Sequence, residues 1–163
     1  MYTCHYNSPL GNMLLAADEM GLTGIWFEGQ KYFAQHLPKE VEEKESPLLQ
    51  EAIRWLDLYF AGKKPDFTPP LHPEGSAFRQ MVWKALLTIP YGETRTYGEL
   101  AKRIAEEKHI PTMSAQAIGD AVGHNPISII IPCHRVVGAK GALTGYAGGV
   151  EKKEFLLRLE KVM

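Results

Sequence analysis

Cysteine is nearly absent from this chain: among 163 residues only Cys4 and Cys133 occur. Two thiols are too few for a disulfide scaffold, so the fold rests on a packed core and each cysteine must be explained as a thiol. Long apolar runs are missing too, since none approaches the roughly 20 residues that a membrane-spanning helix needs. The opening MYTCHYNSPLG has neither the basic start nor the apolar middle of a signal peptide. These features lead us to expect a cytoplasmic protein, or a nuclear one in a eukaryote, with no membrane partner. No charge sign dominates, with 18 Lys and Arg against 19 Asp and Glu. A hydrophobic share of 45% and a charged share of 23% are those of a soluble globular chain, long enough for one large or two small domains.

The near-neutral balance conceals a split. Residues 1–75 carry 11 acidic and 6 basic side chains, and residues 76–163 carry 8 and 12. The second half is the one suited to a polyanion. Between the halves, GKKPDFTPPLHPEG has the Pro and Gly density of a linker, which sets the expected domains at 1–74 and 75–163. In the first, short β-prone runs punctuated by Ser8-Pro9, Gly11-Asn12, Met20-Gly21 and Gly29 predict a meander of three strands. KEVEEKE, residues 39–45, reads as a solvated turn. Ser46-Pro47 then opens a helix with Leu48, Ala52, Trp55 and Tyr59 on one face, ending near Gly62.

The second half reads as helices. Phe78, Val82, Ala85, Leu86 and Ile89 share a face before Pro90. Thr96 and Glu99 form a capping box for a helix whose stripe is Tyr97, Leu100, Ala101, Ile104 and Ala105. After a break at Pro111, TMSAQAIGDAVG predicts another helix with Ala115, Ile118 and Val122 inward. Two short helices with a tight connection are a helix-turn-helix candidate, although most helix pairs bind no nucleic acid. The outward face of the second holds Gln116, Gly119, Asp120 and Gly123, and its two glycines permit close approach of a DNA backbone or of another helix.

Cys133 lies in IIIPCHRVVG, directly after Pro132. The β-branched run before it predicts a buried strand or extended segment. A thiol with an ordinary pKa of about 8.5 needs a neighbouring base or cation to supply thiolate at neutral pH. His134 can take a proton, Arg135 brings fixed positive charge, and Asn125 can hold nearby backbone. Adjacent residues of an extended chain point opposite ways, so Cys133 and His134 communicate only through a turn or a water. A buried inert thiol beside a surface histidine fits these residues equally well.

PISIIIPCHRVVGAKGALTGYAGGVEKKEFLLRLE closely resembles the O6-alkylguanine-DNA alkyltransferases, whose signature is an apolar run followed by Pro-Cys-His-Arg-Val. GETRTYGELA, HNP and SPLG extend the resemblance over nearly the whole chain. It implies an α/β (α+β) fold: an N-terminal antiparallel sheet with a helix, ribonuclease-H-like, and a mainly helical C-terminal winged helix-turn-helix domain. The implied activity is direct reversal of damage in double-stranded DNA. An O6-alkylguanine is flipped into a pocket, and Cys133 displaces the alkyl group and keeps it as a thioether, once and without a cofactor. O4-alkylthymine is a second possible substrate, and the protein is expected to be a monomer.

The same resemblance assigns roles. His134 draws the Cys133 proton through a water, Glu154 orients that histidine, and Asn125 braces the turn. Tyr97 contacts the base or helps extrude it, and Val136 and Cys133 offer carbonyls to the exocyclic amine. Tyr146 walls the pocket, the Ala147 amide lies near O6, and Gly148 belongs to the closing loop. Thr96, Ala115, Gln116, Ala117, Gly119, Gly123 and Arg135 face the DNA. Relatives usually have an arginine at the position of Gln116, inserted where the base was; glutamine is shorter and uncharged. Asp120 brings a carboxylate toward phosphates unless it turns aside. Cys4-His5 lacks a second cysteine, and with only His36 and His72 to recruit it predicts no metal site. Two rivals remain: a sensor that binds alkylguanine without repairing it, and a Cys-His hydrolase with turnover.

Overall fold

The computed structural model describes residues 1–35 and 37–163. His36 therefore lies outside the described residues. The chain forms two compact units, Met1–Glu74 with Pro126–Ile130, and Gly75–Asn125 with Ile131–Met163.

The first unit is built on the predicted meander. Strands β1 (Tyr2–Ser8), β2 (Gly11–Ala17) and β3 (Leu22–Phe27) pair antiparallel in sequence order. The β1–β2 turn closes because the Ser8 hydroxyl donates to the Gly11 carbonyl and accepts from the Leu10 amide, with Gly11 at φ +103° where a side chain would be strained. KEVEEKE is not only a turn: Glu42–Glu43 forms a two-residue strand β4 parallel to β1, so the sheet is mixed, in the order β3-β2-β1-β4. Helix α1 (Pro47–Phe60) starts as read, with Ser46 accepting from the Leu49 amide and Pro47 in the first turn. It packs on β1 and β2 through Leu49, Ala52, Trp55, Leu56 and Tyr59. Leu49 takes the inward place expected of Leu48, three residues before Ala52 instead of four, while Ala52, Trp55 and Tyr59 face inward as read.

The linker is laced to the free edge of β3. Leu22 donates to the Pro70 carbonyl and accepts from the His72 amide, while the His72 ring meets the Asp18 carboxylate at 2.6 Å. Pro126–Ile130 does the same further along: Ile25 donates to Pro126 and accepts from Ser128. Both additions satisfy backbone groups that an open edge would expose. Pro126–Ile130 thus belongs with the first unit, whereas the expected boundary put it in the second. The β-branched run is not a strand. It makes one bridge, Ile25 with Ile127, and then turns, with Ile129 at φ +72° in the left-handed region.

The second unit is mainly helical. Helices α2 (Ala77–Leu86), α3 (Tyr97–Lys108) and α4 (Ala115–Gly123) pack on one another. Trp83, absent from the predicted stripe, is buried and its indole donates to the Ala121 carbonyl at 2.9 Å, joining α2 to α4. The capping box is present on both sides, with Thr96 accepting from the Glu99 amide and Glu99 from the Thr96 amide. In α4 the inward residues are Ile118, Ala121 and Val122, and Ala115 is exposed, one turn too early to reach the core. Strands β5 (Arg95–Thr96) and β6 (Val136–Val137) pair in parallel and tie the start of α3 to the segment after Cys133. Helix α5 (Val150–Leu159) ends the fold. Among the described residues no helix is long and apolar enough to cross a membrane.

Trp83→Phe removes the indole donor and leaves the buried Ala121 carbonyl without it. Denaturant unfolding of this variant is expected to show a loss of about 1–3 kcal/mol relative to the parent; an unchanged midpoint contradicts the joining role.

Candidate active site

Pro132 (φ −83°, ψ 63°) bends the chain into a single 3-10 turn, Cys133–Arg135, whose first carbonyl accepts from the Val136 amide. The turn removes the obstacle posed by an extended chain, because Cys133 and His134 no longer alternate across a strand. All three residues of the turn are buried. Asn125 is buried behind them, donating from Nδ2 to the Ile131 carbonyl at 2.8 Å and hydrogen-bonding the Cys133 thiol.

The carboxylate that meets His134 is Glu160, not Glu154. His134 Nε2 lies 2.6 Å from Glu160 Oε2, with both side chains fully buried. Glu154 instead pairs with Arg158 at 2.8 Å near the surface. Helical phase is the reason: Lys153, Leu156, Leu157 and Glu160 fall at i, i+3, i+4 and i+7 and face inward, while Glu154 is rotated one residue away. That periodicity was the signal in the sequence. The Glu160 Oε1 atom also accepts from Arg135 Nε at 2.8 Å and from the Gly92 amide at 3.0 Å, and Arg135 reaches Oε2 at 3.2 Å. Gly92 presents its amide from φ +81°, a conformation that favours glycine.

Arg135 is therefore not on a DNA-facing surface. Its guanidinium is buried, bonds Glu160 and the Ile89 carbonyl, and lies 5.7 Å from the centre of the Tyr91 ring. Thr96 likewise has its hydroxyl engaged in the α3 cap.

Burial raises the Cys133 thiol above its ordinary pKa, opposed by the Asn125 hydrogen bond, the charge of Lys153 and the amides of Cys133 and His134. At rest the sulfur is a thiol at neutral pH. Burial also lowers His134, though Glu160 pulls the other way, so the resting ring is neutral. A neutral ring that donates from Nε2 to Glu160 keeps Nδ1 as its proton acceptor. Burial opposes the Glu160 charge, but the hydrogen bonds from His134 and Arg135 and the charge of Arg135 outweigh it and hold the carboxyl at about 2.

Around this centre, Tyr97 at the start of α3 accepts a hydrogen bond from Thr144 Oγ1 at 3.1 Å. Gly119 of α4 is positioned against the Tyr97 ring, where an added Cβ would meet ring carbons at 3.8 Å. One of the two bare positions on α4 is thus filled by internal packing, and the other, Gly123, has open space. Ala115 and Gln116 are exposed, and Ala117 is half-buried. Asp120 turns toward Arg79 at 3.6 Å and His124 at 3.5 Å. Tyr146, Ala147 and Gly148 are half-buried in the loop before α5, and Val136 is buried in β6. Cys4 is a buried thiol raised to about 11 by burial and by Glu45 and Glu43, which makes it unreactive at neutral pH. Among the described residues no group of three or more His, Cys, Asp or Glu could hold a metal ion.

Because Glu160 is held near 2 against an ordinary 4.5, its stabilising contribution is complete above about pH 4.5 and is lost as pH falls toward 2. Glu160→Gln is expected to flatten that acid limb and to cost about 3 kcal/mol at neutral pH, since it leaves Arg135 buried without a full counter-charge. Denaturant unfolding across pH checks both; a variant as stable as the parent at neutral pH contradicts the account.

Two family models divide the chain between them. Residues 1–73 match 6-O-methylguanine DNA methyltransferase, ribonuclease-like domain, and residues 77–162 match 6-O-methylguanine DNA methyltransferase, DNA binding domain. A methylated-DNA–protein-cysteine methyltransferase of Methanosarcina acetivorans is 49% identical over 98% of both chains. One of Haemophilus influenzae is 46% identical over 99% of this chain and 87% of its own. Among solved structures, Mycobacterium tuberculosis OGT in complex with DNA superposes with a TM-score of 0.85 at 43% identity, covering 99% of this chain and 93% of that one. With both halves matched and curated relatives near half-identical over most of their length, the chain belongs to the 6-O-methylguanine DNA methyltransferase family.

Proposed function

We propose that this protein repairs O6-alkylguanine in double-stranded DNA by taking the alkyl group onto Cys133. The observation that carries the assignment to this residue is the buried series Cys133, His134, Glu160 in one turn and one helix, in the same unit as the α3–α4 helix pair. His134 Nδ1 accepts the thiol proton through a water, and Glu160 stabilises the resulting imidazolium. The Cys133 sulfur then bonds the alkyl carbon as the carbon–O6 bond breaks. The electron pair leaves on guanine O6, and the proton taken by His134 restores neutral guanine. A thioether has no bond that water readily cleaves, so the protein acts once. Asn125 holds the turn through Ile131 and contacts the sulfur. Tyr97, Tyr146, Ala147 and Gly148 contribute to the base pocket, with Val136 offering a carbonyl. Ala115, Gln116, Ala117 and Gly123 of α4 lie against the DNA, and one copy suffices for the reaction.

Incubation with a short duplex carrying one O6-methylguanine is expected to add one methylene mass per molecule of parent and none to Cys133→Ser, read by intact mass spectrometry. No gain with lesion-selective binding intact moves the protein to the sensor class. In single-turnover kinetics Glu160→Gln is expected to slow transfer at least tenfold and Glu154→Gln to leave it unchanged; the reverse order returns the orienting role to Glu154.

Gln116 is exposed at the first turn of α4, where relatives usually have arginine. Gln116→Arg is expected to raise the transfer rate on a methylated duplex several-fold by filling the space left by the flipped base. Equal rates and equal DNA affinity contradict that reading of the position.

A further inference from the structure

Lys153 of α5 is fully buried. Buried charges in proteins are paired or neutralised, because desolvation penalises an isolated ion heavily. Lys153 has no carboxylate for this purpose among the described residues: Glu154 engages Arg158, and Glu160 engages His134 and Arg135. Its Nζ donates to one backbone oxygen, the Thr144 carbonyl, at 3.4 Å. Thr144 is itself fixed. Its hydroxyl donates to Tyr97, and its methyl group fills the space that the missing side chain of Gly138 leaves, where a Cβ would lie 2.9 Å from Thr144 Cγ2. Lys153 lies on the inward face of α5, two turns before the Glu160 that bonds His134, and α5 packs against the Cys133–Arg135 turn, so the ammonium is buried on the side of the helix that meets the reactive turn, where its charge favours the Cys133 thiolate.

We propose that Lys153 is the counter-cation against which the Cys133 thiolate forms, held in place by the Thr144 carbonyl in a segment that the Thr144 hydroxyl ties to Tyr97. This rests on Cys133 being the nucleophile. Lys153 neither gives nor takes a proton in the transfer. The thiol proton goes to His134, the sulfur gains its negative charge beside an ammonium already present, and that charge leaves with guanine O6 when the sulfur–carbon bond forms. The buried ammonium thus lowers the cost of a thiolate that burial alone would suppress. Lys153 is a positioning residue in this sense, acting on the reaction through the charge on sulfur.

Its partners define the expected pH behaviour. Cys133 and His134 face it electrostatically, Glu160 and Arg135 stand beyond His134, and Thr144 and Tyr97 contribute uncharged oxygens. Burial lowers Lys153 to about 8, so the cation is mostly present at neutral pH and is lost as pH rises through that value, before a thiol held above its ordinary range ionises.

The test follows the thiolate of Cys133 by the rate at which iodoacetamide alkylates it at about pH 7, below the lysine's own titration, with the same protein carrying Cys133→Ser as the blank. Lys153→Met is expected to slow this reaction about tenfold, the change that a tenfold smaller thiolate fraction gives. Lys153→Arg, which keeps the charge, is expected to bring the rate back toward the parent's. A Lys153→Met rate equal to the parent's overturns the proposal. A second measurement needs no change at the lysine: the pH profile of the same reaction in the parent. Loss of the lysine charge near pH 8 is expected to flatten the rise in rate over about one unit, and an uninterrupted rise overturns the proposal. Neither readout involves DNA, so this inference and the proposed repair reaction can fail separately.

Discussion

The active-site unit depends on one buried carboxylate. Glu160 accepts hydrogen bonds from the Gly92 amide, from Arg135 and from His134, and so gathers the turn before β5, the reactive turn and the end of α5 at a single point. An ion this deep in protein is tolerable only when every lone pair is used and opposite charge is adjacent. Both conditions hold, and the result is a fixed imidazole. His134 has its tautomer set by the bond to Glu160, and Arg135 becomes internal structure rather than a contact for phosphate. The thiol in turn receives its help from groups other than Arg135: an amide from Asn125, backbone N–H groups, and the charge of Lys153.

Much of this was legible in the sequence where the signal was local. The capping box of α3, the serine cap of α1 and the hairpin at Ser8 and Gly11 follow from interactions within a few residues, and the structure reproduces them. Longer-range pairings were not readable in the same way. Nothing local announces that Glu42–Glu43 would pair with β1, or that Pro126–Ile130 would close the edge of β3. The apolar run before Cys133 misled because burial and β-branching suit a buried turn as well as a strand. Resemblance of a short motif points to Glu154, whereas the helical phase set by Leu156 and Leu157 selects Glu160. The same phase selects Lys153, a residue whose type suggests solvent and whose position places it in the core.

The glycines of α4 show two meanings of one pattern. Gly119 faces Tyr97, so its small size serves the placement of that ring, and Gly123 leaves open space. Asp120, unfavourable beside phosphates, is drawn to Arg79 and His124 instead. The exposed surface at the start of α4 is left to Ala115 and Gln116, uncharged residues on a helix that belongs to the net-positive half of the chain.

The central claim is that Glu160 fixes His134 as a neutral ring protonated on Nε2, leaving Nδ1 to receive the thiol proton. Nitrogen NMR of the imidazole in the resting protein at neutral pH tests it most directly. The account predicts one protonated nitrogen, Nε2, hydrogen-bonded to the carboxylate, and one bare nitrogen, Nδ1. A ring protonated on both nitrogens, or on Nδ1 alone, would contradict it, because Nδ1 would then have no lone pair to offer the sulfur proton.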